Sequence, residues 1–155
     1  MDNPFMARAI QLSIDNVTSG RGGPFGAVVV KDGIMVAEGA NQVTSTNDPT
    51  AHAEVIAIRG ACKKLGVFDL QDCEIYTSCE PCPMCLGAIY WARVSRVYFA
   101  NAAADASGIG FDDSLIYREI EQPHSKRKIP MIQMMREEAL TAFRAWESKI
   151  NKVEY

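Results

Sequence analysis

Two short segments carry the residues with chemistry to offer: Thr50-Ala51-His52-Ala53-Glu54 and Pro81-Cys82-Pro83-Met84-Cys85. Cys82 and Cys85 lie three positions apart where a helix should begin, which puts both sulfurs on one face, within reach of one ion. The positive end of that helix favours the thiolate forms that bind metal. His52 falls in the first turn of a second predicted helix. One imidazole and two thiolates make a soft, tetrahedral ligand set suited to zinc, and three protein ligands leave the fourth position to water. A site of that kind lowers the pKa of its water from about 15.7 to roughly 7 and so supplies a nucleophile at neutral pH. Glu54 is two residues from His52, and positions i and i+2 do not share a helix face. It should therefore face the substrate and move protons, not complete the ligand set. The competing reading is a structural zinc site closed by Cys79. Glu80 precedes a proline and prefers extended backbone, which would set the Cα atoms of Cys79 and Cys82 up to ~10 Å apart. Cys79 reads better as a small residue buried at a strand end, with Cys62 and Cys73 in the core.

The elements that must position these residues follow from periodicity and turn chemistry. Phe5, Ala9, Ile10 and Leu12 sit at helical spacing, predicting a helix from Phe5 to Val17 that Ser19-Gly20-Arg21-Gly22-Gly23-Pro24 ends. Ala27-Val28-Val29-Val30, the turn Lys31-Asp32-Gly33 and the run Ile34 to Glu38 predict a hairpin. After a polar stretch, Asp48-Pro49 reads as an N-cap and first helical residue, opening a helix that closes at Gly66. A third strand is predicted from Cys73 to Thr77, a helix from Pro81 to Ala92 with Leu86, Ile89 and Tyr90 on its apolar side, and a fourth strand from Arg96 to Ala100. Met131 to Met135 reads as a fifth strand and Glu137 to Ile150 as a last helix carrying Leu140, Phe143 and Trp146. With no repeat and no low-complexity linker, residues 1–155 are expected to form one α/β domain: a three-layer α/β/α arrangement with a five-stranded mixed sheet and helices on both faces. Trp91 and Trp146 are expected in the core.

The bulk properties narrow the partners. The 155 residues are 48% hydrophobic and 23% charged, enough for a core without disulfides. The net charge of -3 argues against a broad cationic surface for nucleic acid or anionic lipid. The one basic run, His124-Ser125-Lys126-Arg127-Lys128, reads as a solvated loop, with His124 on the surface. No signal peptide or membrane span is expected, and five cysteines, three of them clustered, fit a reducing, cytoplasmic setting.

His52-Ala53-Glu54 followed by Pro81-Cys82-Pro83-Met84-Cys85 resembles the H-x-E…P-C-x-x-C signature of zinc nucleobase deaminases. Over its whole length the chain is similar to the small bacterial guanine deaminases, through Gly22-Gly23-Pro24-Phe25-Gly26-Ala27, Asn47-Asp48-Pro49-Thr50-Ala51, Tyr76-Thr77-Ser78-Cys79-Glu80, Gly110-Phe111-Asp112-Asp113-Ser114 and the terminal Glu154-Tyr155. The last two blocks discriminate within the superfamily. That resemblance implies a cytidine deaminase-like fold, one zinc ion per chain, and hydrolysis of guanine at C2 to xanthine and ammonia. It also implies that Asn41 and Asp113 contact the base, that Phe25 lines the pocket, and that Tyr155 closes over an active site. The family's homodimer can exchange C-terminal segments, here 136–155. The chemistry is consistent beside the resemblance: guanine offers adjacent N1–H and amino donors to a carboxylate such as Asp113, and an Asn can serve O6 or N7. Asp112-Asp113-Ser114 would otherwise be a helix N-cap, Asn41 a strand end and Tyr155 a frayed terminus. A tRNA adenosine deaminase shares the zinc signature but must grip RNA, and its usual His-rich loop after the fourth strand is absent. A cytosine deaminase fits less well, because the segments expected of that family are missing. A non-catalytic zinc scaffold would have no use for an intact Glu54.

Overall fold

The computed structural model describes residues 3–155. Its elements begin with helix α1 (Pro4–Thr18), where the Asn3 side chain accepts hydrogen bonds from the N–H groups of Phe5 and Met6 at 2.9 and 3.0 Å and Pro4 takes the first helical position. Strands β1 (Gly26–Lys31) and β2 (Ile34–Ala40) then form the predicted hairpin. Asp32 and Gly33 both adopt positive φ, 51° and 71°, the conformation that two-residue hairpin turns demand. A short helical turn α2 (Val43–Thr46), helix α3 (Ala53–Leu65), strand β3 (Cys73–Cys79), helix α4 (Pro83–Trp91), strand β4 (Arg96–Asn101) and helix α5 (Ala103–Gly108) follow.

The sheet has four strands in the order β2-β1-β3-β4. β1 pairs antiparallel with both β2 and β3, while β3 and β4 run parallel across the α4 crossover. Strand β1 is central and buried on both faces. Val28, Val30 and Tyr76 face α1, against Phe5, Met6 and Leu12. Ala27, Val29 and Ile75 face the other way, packed with Ala53, Ala57, Ile58 and Ala61 of α3 and Ile89 of α4. Helices therefore cover both faces of one mixed sheet, as expected. The fit of α3 to β2 is close: a Cβ on Gly39 would lie 2.4 Å from the Ala53 carbonyl oxygen, so only glycine lets the start of α3 rest on the strand.

Three expectations need correction. The fifth strand does not form: Met131 to Met135 has no ladder, Pro130 precedes it, Met135 takes a left-handed φ of 51°, and its methionines and Ile132 are exposed. Met and Gln bring little of the β-branched packing that holds a strand. Helix α3 starts at Ala53, not Pro49, because the Asp48 carboxylate is engaged in a turn with the N–H and hydroxyl of Thr50 at 2.8 and 2.7 Å. Its end at Gly66, φ 70°, is as predicted. Of the apolar side expected for α4 only Ile89 is buried; Leu86, Tyr90 and Trp91 are exposed, and Trp146 is not core either.

The chain groups into two compact units, Met1–Asp113 and Ser114–Tyr155. The second consists of α6 (Ser114–Glu121), a 3-10 turn (His124–Lys126) and α7 (Arg136–Ser148), and none of its residues is buried. His124 is exposed, as expected. Among the described residues no helix is long and apolar enough to cross a membrane.

Candidate metal and catalytic centre

Both predicted ligand segments end a stretch of extended backbone. His52 (φ −72°, ψ 154°) is the N-cap of α3 and Cys82 (φ −67°, ψ 168°) the N-cap of α4, and neither side chain caps its own helix. The two side chains turn toward each other instead. The His52 Nδ1 atom lies 3.5 Å from Cys82 Sγ and 3.4 Å from Cys85 Sγ, and the three ligand atoms all fall within 4.8 Å of one another. Zinc–sulfur and zinc–nitrogen bonds of 2.3 and about 2.05 Å at a tetrahedral angle require nitrogen–sulfur edges of about 3.5 Å. The donor types and their spacing thus fit zinc. Cys79 is not in this group: it is buried at the end of β3 with its thiol toward the Ala102 carbonyl, 3.8 Å away, as the pre-proline geometry predicts.

The electrostatics of the trio suit cation binding. A hydrogen bond from the Cys85 thiol, opposed by burial and helped by His52, brings Cys82 down to about 4, so it is a thiolate at neutral pH. The same bond, together with burial, holds the Cys85 proton far above the ordinary thiol range. The two sulfurs behave as a pair sharing one negative charge, and His52 is raised by its bond to Cys82. Glu54, in the first turn of α3, is 6% exposed. Burial lifts its carboxyl above the ordinary range, with its own backbone N–H and the Cys85 thiol pulling partly back. A buried carboxyl that holds its proton more tightly than usual, in contact with a ligand but outside the ligand set, is suited to accept and return a proton.

Asn41, Phe25 and Asp113, expected from the sequence to contact the base, all belong to the first unit. Asn41, just past β2, is buried; its Oδ1 accepts from the N–H groups of Gly23 (3.4 Å) and Val43 (3.2 Å), which fixes the amide orientation and leaves the NH2 group to donate. Its backbone N–H bonds the Phe25 carbonyl at 3.1 Å. Phe25 is half-buried and meets Phe111 edge-on, ring centroids 4.9 Å apart. Asp113 is half-buried; burial raises its carboxyl first, and the Cys82 thiolate adds to the shift. Tyr155 ends the second unit and is exposed.

Three residues escaped the sequence. Asn16 of α1 is buried, and its Nδ2 donates to the carbonyls of Gly23 and Asn41, each at 2.8 Å; a polar residue on the buried face of an amphipathic helix was the only signal. Ser78 receives the Gly26 N–H at 3.0 Å, at the root of the Phe25 loop. The Glu80 carboxylate accepts from the Ala103 N–H at 2.9 Å, a contact between segments with no local signature.

Comparison with known proteins agrees with this geometry. The chain is 58% identical over 151 residues to guanine deaminase of Bacillus subtilis, covering 97% of both chains. Its fold superposes on the X-ray structure of the Bacillus subtilis guanine deaminase with a TM-score of 0.96 at 57% identity, covering 100% of this chain and 99% of the other. The tRNA-specific adenosine deaminase of Aquifex aeolicus is 40% identical over 86 residues, 56% of this chain and 57% of that protein. Residues 1–101, which carry His52, Glu54, Cys82 and Cys85, match the cytidine and deoxycytidylate deaminase zinc-binding region, and the chain belongs to that deaminase family.

Proposed function

We propose that this protein hydrolyses guanine at C2, giving xanthine and ammonia. The observation that carries the reading is the joining of a His–Cys–Cys trio and a buried Glu54 with near-full-length similarity to a protein named guanine deaminase. His52, Cys82 and Cys85 would hold one zinc ion per chain, which when bound would supply an acidified water as nucleophile. Glu54 takes the proton that the water gives up as it adds to C2 and delivers it to ring N3. It then takes the proton of the hydroxyl now on C2 and passes it to the departing amine, with Asp113 assisting, so that the C2 carbonyl forms as the C–N bond breaks, one water is consumed and one ammonia is released. Asp113 accepts from N1–H and the amino group, the Asn41 NH2 donates to O6 or N7, and Phe25 covers the ring.

We further infer that the whole chain works as a single deaminase domain in a homodimer, with Tyr155 closing a site and residues 136–155 exchangeable between subunits. In support, Ser114–Tyr155 buries none of its residues, and Ile116, Ile120 and Phe143 stay exposed, a composition that calls for a covering surface. The free base as substrate accords with the net charge of -3, which offers little to an RNA backbone. Ammonia release from guanine should far exceed that from adenine, cytosine, cytidine or an adenosine-containing tRNA anticodon loop. Preferential turnover of the tRNA would transfer the assignment to the tRNA deaminases, and no turnover of any of them would leave a zinc scaffold.

A further inference from the structure

Asp113 lies in a segment whose anchoring neither the metal ligands nor the sheet explains. The segment leaves β4 at Asn101 and runs through α5 to Asp113, and most of its residues are exposed. Its root is tied to the residue that leads into Pro81-Cys82. Glu80 donates its backbone N–H to the Asn101 carbonyl at 2.8 Å, and its carboxylate accepts the Ala103 N–H at 2.9 Å. Asp105 closes the same corner by accepting the Ala102 N–H at 2.8 Å. The tip of the segment is held differently. Phe111 donates its N–H to the Ala106 carbonyl at 3.0 Å, and its ring stands perpendicular to Phe25, 4.9 Å away and beside Gly23. Phe111 is 48% exposed, so its ring adds little to the core; its contact is with Phe25, the residue proposed above to cover the base. Asp113 follows two residues later, at most about 7 Å of chain, so a shift of Phe111 moves Asp113 with it.

We propose that Phe111 and Glu80 are positioning residues: they hold the Ala102–Asp113 segment at its tip and its root, and so set Asp113 where it discriminates among aminated rings. This rests on Asp113 contacting the base. Guanine presents a hydrogen on N1 beside its amino group, whereas 2-aminopurine has the amino group but a bare N1 lone pair. A carboxylate held at N1 accepts from the first and repels the second. A carboxylate free to drift loses that distinction while still tolerating both rings.

The test is the ratio of the inhibition constant for 2-aminopurine to the KM for guanine, a quantity that does not depend on the fraction of active protein. Phe111→Ala should lower this ratio about tenfold, the worth of a hydrogen bond to a charged group, with zinc content and Tm unchanged. Glu80→Ala should act in the same direction, and Glu80→Gln, whose amide oxygen still accepts from Ala103, should restore the ratio. Asp113→Asn serves as the reference, and adding Phe111→Ala to it should lower the ratio no further; a further fall would mean that Phe111 acts through Phe25 instead and would overturn the proposal. If Asp113→Asn collapses the ratio while Phe111→Ala and Glu80→Ala leave it intact, the positioning role is refuted and the base contact survives. If Asp113→Asn leaves it intact, the base contact itself fails and the positioning role with it. Phe111→Ala alters an exposed side chain, so it carries the test even where Glu80→Ala does not fold.

Discussion

Replacing the Glu54 carboxyl by an amide of the same shape separates its proton chemistry from its packing. Glu54→Gln keeps the buried volume and the contact with Cys85 but cannot take up or release a proton. A positioned general acid–base contributes about 10²–10⁴-fold. Glu54 is assigned the proton movements from water, to N3 and, with Asp113 assisting, to the amine, so the loss should reach the upper end, about 10⁴ in kcat or ~5 kcal/mol of barrier. Stability should move the other way. The folded protein raises this carboxyl above its ordinary value of 4.5, chiefly by burial. Native structure thus binds the proton more tightly than the unfolded chain; that favours folding at acid pH and is lost as pH rises through the folded-state value. Above the ordinary carboxylate range this acid therefore costs stability that the neutral amide does not, so the metal-free variant should melt no lower than the parent. The assay is ammonia release from guanine, with zinc per chain and Tm measured on the same preparations. A variant with full zinc and activity within tenfold of the parent would refute the assignment of Glu54 as the proton carrier.

Two further outcomes follow from the same geometry. In the metal-free centre Cys82 is the thiolate and Cys85 keeps its proton, so zinc uptake must release at least one proton and affinity must rise with pH; calorimetric titrations in buffers of different ionisation enthalpy measure this, and buffer-independent heats would show the centre to be pre-ionised. Removing residues 151–155, of which Val153 and Tyr155 are well exposed, should raise KM or lower kcat with Tm unchanged, and unaltered kinetics would take Tyr155 out of the pocket.

The parts of the site that could be read from sequence are those that local spacing determines. Cys82 and Cys85 share a face because they are three apart at a helix start, and His52 and Glu54 diverge because they are two apart; both relations hold whichever residue the helix begins on. That tolerance mattered, because Asp48 bonds Thr50 and α3 starts four residues later than its proline suggests. The hairpin was equally legible, since Asp32-Gly33 supplies the left-handed conformations it needs. What could not be read depends on contacts distant in sequence. Asn16 reaches Asn41 across 25 positions, and Glu80 reaches Ala103 across 23, with no periodicity to announce either. The failed strand at Met131–Met135 is the converse case: an apolar run is only a strand where a neighbour supplies its ladder.

Under the proposed function, the metal ligands and Glu54 fall in one stretch of the chain, while part of the base contact falls in another. The deaminase region ends at residue 101 and contains the trio and Glu54, and the Aquifex tRNA deaminase shares similarity with only 56% of this chain. Similarity to the Bacillus guanine deaminase extends over 97% of it. The metal and the proton carrier must meet only an amino group on an electrophilic carbon, which guanine, adenine and cytosine all offer, so neither need distinguish them. On the proposed reading, discrimination falls instead to groups that face the rest of the ring. Asn41 lies within the shared region, its amide orientation fixed by two backbone N–H groups; Phe111 and Asp113 lie beyond it. A segment outside the catalytic region can change without disturbing the metal, provided its root stays tied, and the bond from Glu80 to Ala103 spans that boundary. Substitutions between residues 102 and 113 are therefore expected to alter specificity while leaving the zinc ligands and Glu54 intact.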